Sequence, residues 1–404
     1  MRNRTGLVAL FAADLITTLG TWLSIVAIPW LVLTTTGSPV KMGVIAAAEW
    51  VPLLLSSVFG PPLVDRLGLQ RTSVLTDLGS ALAMAAIAAT PRIGFLPLVV
   101  LVACAGLLRG GGDRSKHVLL RPMAEDAGVP MIRVSGAYET MNRVAQLVGA
   151  PLGGLLIFWF GTQGAIWMDA VSFLVCGLLV WAFVHPKPVE RVPESYFGAL
   201  RTGAAYLLRD RGLHGMIVAL FLLNVFTQAN NSVFIPLWIN DVLRSPAGLG
   251  LVLGSYAVGA VLGSLTFTAV ATKLPRFGTF AIAVVLAGAP RLFALGWSSN
   301  LAVVLVITFL SGVAISPAAP IAFAFLYERV PTELQTRVFG LIAGFCIAGF
   351  PLGGLLAGWA ASSLGLTTAL IVSGFTCLAL TSLSVQAYLR SPRPTNQLNE
   401  ESLS

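Results

Sequence analysis

Long apolar runs alternate with short polar punctuation along the chain, and polar residues do not recur every few positions inside the runs as they do on the surface helices of a water-soluble fold. An uncharged run of about 20 residues crosses a roughly 30 Å hydrocarbon layer as helix. About twelve spans follow, starting near residues 7, 42, 73, 95, 132, 163, 213, 247, 279, 300, 334 and 363. The pattern predicts an all-α integral membrane protein. Its longest polar connection falls between the sixth and seventh spans, which divides the chain into an amino-terminal six-helix half (1–184), a cytoplasmic linker (185–212), a carboxy-terminal six-helix half (213–389) and a disordered cytoplasmic tail (390–404). From Tyr196 to Arg211 the linker has apolar residues at helical spacing opposite Arg201 and Arg209, which fits either an interfacial helix or a flexible connection.

The halves echo each other. GAPLGGLL at 149–156 returns as GFPLGGLL at 349–356, VAIPW at 26–30 as VFIPL at 233–237, and RVSG at 133–136 as RVFG at 337–340. Matched features in the same order argue for duplicated halves. Gly149, Gly153 and Gly154, with Gly349, Gly353 and Gly354, let neighbouring helices approach closely, and Pro151 and Pro351 bend the helices that carry them. Two readings stand for these segments: an outer gate in each half, or a tight helix contact with no part in a cycle.

Composition narrows the class: 56% of residues are hydrophobic and only 10% charged. A net charge of +8 suggests nucleic acid, but the basic residues are scattered singly, which excludes such a partner. They are instead asymmetric about the membrane. With the amino terminus inside, about 19 of the 25 Lys and Arg fall on inner loops, span ends and termini, Lys116 among them, against three outside (Lys41, Arg92, Arg244). Both termini are therefore expected in the cytoplasm and the chain in the plasma membrane. MRNRTGLVALF opens a run too long for a signal core, so no cleaved signal is expected. Cys104, Cys176, Cys346 and Cys377 fall one per span and read as small apolar fillers. His117, His185 and His214 all lie near the inner face, and no residues have metal-ligand spacing. No P-loop and no GxSxG elbow occurs, so neither ATP-driven transport nor an enzyme is expected, and no cofactor.

Charges inside spans are costly and mark cavities or partners. Asp14, Glu49, Asp77, Glu139, Asp169, Arg109 and Arg143 all lie in the first half, against Arg291 alone at depth in the second, close enough to the outer surface to snorkel. Counted from the span starts, Asp14, Glu139 and Arg143 fall in the inner half, Arg109 near the middle, and Glu49 and Asp169 nearer the outside. Glu139, Asn142, Arg143 and Gln146 share one helical face, which is expected to line a cavity or meet the fourth span near Arg109. Either Asp14, Glu49 or Glu139 exchanges a proton under the influence of Arg143 and Arg109, or Glu139 and Arg143 form a permanent ion pair. Asp77 and Asp169 sit near helix ends, where structural hydrogen bonding is expected.

Neutral polarity fills the second half. Asn224, Gln228 and Asn231 recur at i, i+4, i+7, with Thr227, Asn230 and Ser232 beside them, and either face neighbouring helices or line a substrate cavity. Trp22, Trp50, Phe226 and Trp238 complete an aromatic pocket, unless the tryptophans are interfacial anchors. Such a cavity suits a bulky amphipathic molecule better than a sugar or an inorganic ion.

Several stretches carry a family likeness: GPPLVDRLGLQR with Gly60, Asp65, Arg66, Gly68 and Arg71; Asp77 in SVLTDLGSA; WMDAVSFLV around Asp169; TTTGSPVKMG; and GAPLGG. Over nearly its whole length the chain resembles the major facilitator superfamily, in particular the branch of twelve-span drug:proton antiporters that includes macrolide-efflux and siderophore-export proteins. The resemblance implies two pseudo-symmetric six-helix halves, an inner-loop gating motif at the residues just named, and alternating access driven by a proton gradient. Export of an amphipathic drug or secondary metabolite by a monomer in the bilayer is the leading expectation. Export of a siderophore or another metabolite, uptake by symport, and a receptor or secretion accessory that moves nothing remain open beside it.

Overall fold

A computed structural model of the chain describes residues 4–60, 64, 66–90, 93–185, 206–207 and 211–389. Most of the 185–212 linker, the 390–404 tail and Asp65 of the inner-loop motif lie outside them. All regular structure among the described residues is helical. Lipid offers no partner for backbone N–H and C=O groups, so each apolar run satisfies its own by closing into helix.

We number the spans in chain order: α1 Arg4–Thr36, α2 Pro39–Phe59, α3 Leu69–Ala89 and α4 Phe95–Ala127. The next helical stretch, Met131–Phe183, has 53 residues, about 80 Å of helix and more than twice the bilayer core. Gly161 breaks it at φ 72, a backbone conformation that glycine alone adopts cheaply, and so separates α5 (131–160) from α6 (162–183). In α7, Arg211–Ala229 continues through a π-helical turn, Asn230–Phe234, into Ile235–Val242. Then come α8 Ala247–Val270, α9 Arg276–Trp297, α10 (Leu301–Ile315 and Ala318–Arg329), α11 (Thr332–Ile347 and Gly349–Leu364) and α12 Leu366–Leu389. Among the described residues, eleven helical stretches are long and apolar enough to cross a membrane; with α5 and α6 counted separately, these spans are twelve.

Two units emerge. The first holds α1–α6 with residues 228–257 and 350–369; the second holds the rest of α7, α8, α11 and α12 together with α9 and α10. In the first, Leu7, Leu10 and Ala13 of α1 pack with Leu119, Leu120 and Met123 of α4 and Val180 of α6. In the second, Met216 and Leu223 of α7 pack with Phe280 and Val284 of α9, Phe325 of α10 and Val338 of α11. Because lipid tails are as apolar as leucine, such helix contacts gain from close fit more than from escape from water.

The twin octapeptides differ in backbone. Pro151 lies inside a continuous helix, whereas α11 breaks after Ile347 and restarts at Gly349, two residues before Pro351. Their glycines also divide the work. A methyl on Gly149 would stand 2.7 Å from Trp22 Cβ, and one on Gly153 3.3 Å from Val26 Cβ, so this pair admits α1 of the same half. Gly154 instead meets the backbone of Gly250 in α8, and Gly354 meets Gly43 and Ala46 of α2. Gly349 packs on Phe221 and Val225 of α7, and Gly353 is buried. The contact between segments of opposite sequence halves is thus made at the second glycine of each G-G pair, not by the glycines four apart.

Candidate functional site

Two polar clusters lie inside the first unit, joined along one face of α4. In one of them, Arg109 Nη1 donates to Glu49 Oε1 of α2 at 3.0 Å, with both side chains largely buried. The guanidinium also lies over the Trp50 ring, 5.8 Å from its centre. Nearby, Ser24 of α1 and Ser172 of α6 donate to the buried Asp169. Ser24, Glu49, Arg109 and Asp169 border a cavity of about 10 Å³, close to the space one water molecule needs.

The other cluster is centred on Lys116, whose side chain is 1% exposed. Its Nζ lies 3.2 Å from Asp77 Oδ1 of α3, 3.6 Å from Asp113 Oδ1 and 3.6 Å from Cys176 Sγ of α6. Cys176 in turn donates to Asp77 Oδ2 at 3.2 Å. Asp113 bridges the clusters, since its other oxygen lies 3.7 Å from Arg109 Nε. Glu49, Arg109, Asp113, Lys116 and Asp77 therefore form a ladder of alternating charge, with Arg109 and Lys116 about 10 Å apart along the helix. Asp14 of α1 is 4% exposed, and its Oδ2 has no hydrogen-bond partner.

Several expectations need correction. Lys116 is not an inner-loop cation: α4 runs 33 residues through RGGGDRSK and buries it. Cys176 is a hydrogen-bonding member of the charged cluster and no apolar filler. Arg109 pairs with Glu49 from α2. On that face, Asn142 bonds the Tyr138 carbonyl and Thr18 of α1, and Gln146 is exposed; the side chains of Glu139 and Arg143 lie outside the described residues. Arg291 does not snorkel: it is 4% exposed, with Nε on the Ala287 carbonyl. Asp77 does hydrogen-bond as expected of a structural residue, but with a buried cation as its main partner.

The amide stripe of α7 separates as well. Asn224 donates to the Cys346 carbonyl of α11 at 2.9 Å, a helix-to-helix bond. Gln228 and Phe226 are buried and Asn231 is half-buried. The π turn takes an extra residue, so the i, i+4, i+7 phase is lost where it begins, and Asn230 emerges fully buried with neither amide atom partnered. Trp22 is half-buried and packs against Gly149, and Trp238 is buried. In the inner-loop motif, Gly60 ends α2, Gly68 at φ 87 precedes α3, Arg66 is exposed, and Arg71 borders a wide groove with Trp181 and His185.

Twelve spans, with most of the buried charge in the first six, define a multi-pass membrane protein. Its fold is that of the major facilitator superfamily: a solved nucleoside transporter, NupG, superposes with a TM-score of 0.80 over 97% of this chain and 100% of its own at 10% identity. A bacterial homolog of the human lysosomal transporter Spinster gives 0.73 over 98% and 100% at 13% identity. Within that superfamily the chain belongs to the transmembrane secretion effector family, which it matches over residues 3–403. Among curated relatives, the multidrug efflux pump Tap of Mycobacterium tuberculosis is 29% identical over 90% of this chain and 89% of its own. Tap of Mycolicibacterium fortuitum is 28% identical over 89% and 90%.

Proposed function

We propose that the protein exports amphipathic drugs or secondary metabolites across the plasma membrane in exchange for protons, by alternating access of its two six-helix halves, with both termini in the cytoplasm. The relatives named multidrug efflux pumps support the substrate class and the direction. Asp14 carries the proton-coupling part of this reading. An unpartnered carboxylate oxygen in the membrane interior costs several kcal/mol unless a proton or a cation visits it. Glu49, the outer alternative, is already held by Arg109. A proton on Asp14 would weaken its attraction to Lys116 and so alter how α1 packs on α4. No bound cofactor is needed, since the gradient supplies the energy.

Dye accumulation in inverted vesicles under an imposed pH gradient tests this. The wild-type protein is expected to accumulate dye only while the interior is acidic, and Asp14→Asn to lose that dependence while still equilibrating dye by exchange. Gradient-driven accumulation that survives in Asp14→Asn would remove Asp14 from the coupling step.

A further inference from the structure

We infer that Asn230 and Trp50 form a recognition site for the uncharged, acceptor-rich edge of a flat ligand, directly beneath the contact between α2 and α11. The inference deepens the export reading and rests on it for its purpose, but not for its geometry. Among the described residues, six buried side-chain polar atoms lack a hydrogen-bond partner; two belong to Asn230, and a third is Trp50 Nε1. Buried polar groups are nearly always satisfied, and leaving one unmade is destabilising. Asn230 is fully buried, and it opens the one π-helical turn of the described residues, a distortion that often marks functional sites in helices.

Position along the helices places the two residues in one layer. Gly354 of α11 stands against Ala46 of α2, with Ser232 of α7 beside it. Trp50 lies four residues after Ala46, Asn230 two before Ser232 and Phe350 four before Gly354, each about 3–6 Å further from the outer side given the directions of these helices. The π turn packs on both α1 and α2. The Trp50 and Phe350 rings meet at a tilt with centres 4.3 Å apart, and the Arg109 guanidinium lies 5.8 Å from the indole centre. The layer therefore offers an indole N–H donor, an amide that both donates and accepts, and an aromatic wall. Its cation is neutralised by Glu49. A carbonyl- or hydroxyl-bearing aromatic compound without formal charge matches that set; a cation lacking acceptors leaves both donors unmet.

Equilibrium binding to purified protein in lipid nanodiscs, with no gradient present, tests the site apart from export. Chloramphenicol serves as the neutral probe, having an amide carbonyl, two hydroxyls and a flat ring; ethidium serves as the cationic one. Calorimetry is expected to show Asn230→Leu weakening chloramphenicol binding about tenfold or more and Trp50→Phe severalfold, with ethidium binding little changed. The melting midpoint of Asn230→Leu should hold or rise, since an unsatisfied amide has been removed. Absence of chloramphenicol binding to the wild type, or unchanged binding in both variants, overturns the inference. So does loss of binding accompanied by a lower midpoint in Asn230→Leu, because the amide would then be serving the resting fold. Failure of gradient-driven efflux with this binding pattern intact would sink the export reading alone.

Discussion

Lys116 Nζ sits 3.2 Å from Asp77 Oδ1 with both side chains almost wholly buried, and this pair ties α4 to α3 in the interior of the first unit. Neither charge can leave alone. Lys116→Met is expected to strand Asp77 and to cost on the order of 3–5 kcal/mol, while the double variant with Asp77→Asn recovers most of that loss. Thermal melts of the single and double variants in detergent give the comparison; equal destabilisation by the single and the double would show that the pair does not act as a unit.

Along the same face of α4, Arg109 has two acidic neighbours in different surroundings. Glu49 is largely buried at 3.0 Å, whereas the Asp113 side chain is half-exposed at 3.7 Å. Water and salt screen the second contact, so double-mutant cycles should give a coupling above about 1 kcal/mol for Arg109 with Glu49 and less than about 1 kcal/mol with Asp113. Arg109→Lys keeps the charge but loses the planar guanidinium held over the Trp50 ring, and it is expected to lower the melting midpoint more than Asp113→Asn does.

Backbone contact at the second glycine of each octapeptide makes a sharper prediction than glycine content alone. A side chain at Gly154 would collide with Gly250, and one at Gly354 with Ala46, whereas Gly136 has nothing within 4 Å. Gly154→Leu and Gly354→Leu should each raise the reactivity of a cysteine placed at Ala46 or Leu249 toward a membrane-impermeant maleimide added from outside. Gly136→Ala serves as the neutral control. Unaltered labelling in both leucine variants would argue against a seal at this contact.

The proposed orientation, with both termini in the cytoplasm, is directly measurable. Protease-sensitive tags at either terminus should be cut in inverted vesicles and protected in intact cells, and a tag after Ser298 should behave in the opposite way.

How much of this was legible beforehand depends on the kind of residue. Gly161 was unremarkable in FGTQG, yet the spacing of apolar runs already required two spans there. Lys116 was hidden because RGGGDRSK looks like loop, while α4 stays helical through it; Asp113 and Lys116, three residues apart on one helix with an intramembrane Asp77 to answer them, were the available signal. Asn230 stood beside the i, i+4, i+7 stripe and not in it, and the π turn that carries it is a choice of backbone hydrogen bonding that the side-chain pattern does not encode.

The sequence by itself determined the class, the number of spans, the duplicated halves and the concentration of buried charge in the first of them. Those properties follow from one local rule: in lipid, every apolar run must close its own backbone hydrogen bonds, and a charge left inside must have a reason. Tertiary structure decided the partners. Glu49 for Arg109, Asp77 and Cys176 for Lys116, Gly250 for Gly154 and no protein group for Asn230 are outcomes of how separate helices face one another, and no spacing along a single helix fixes that.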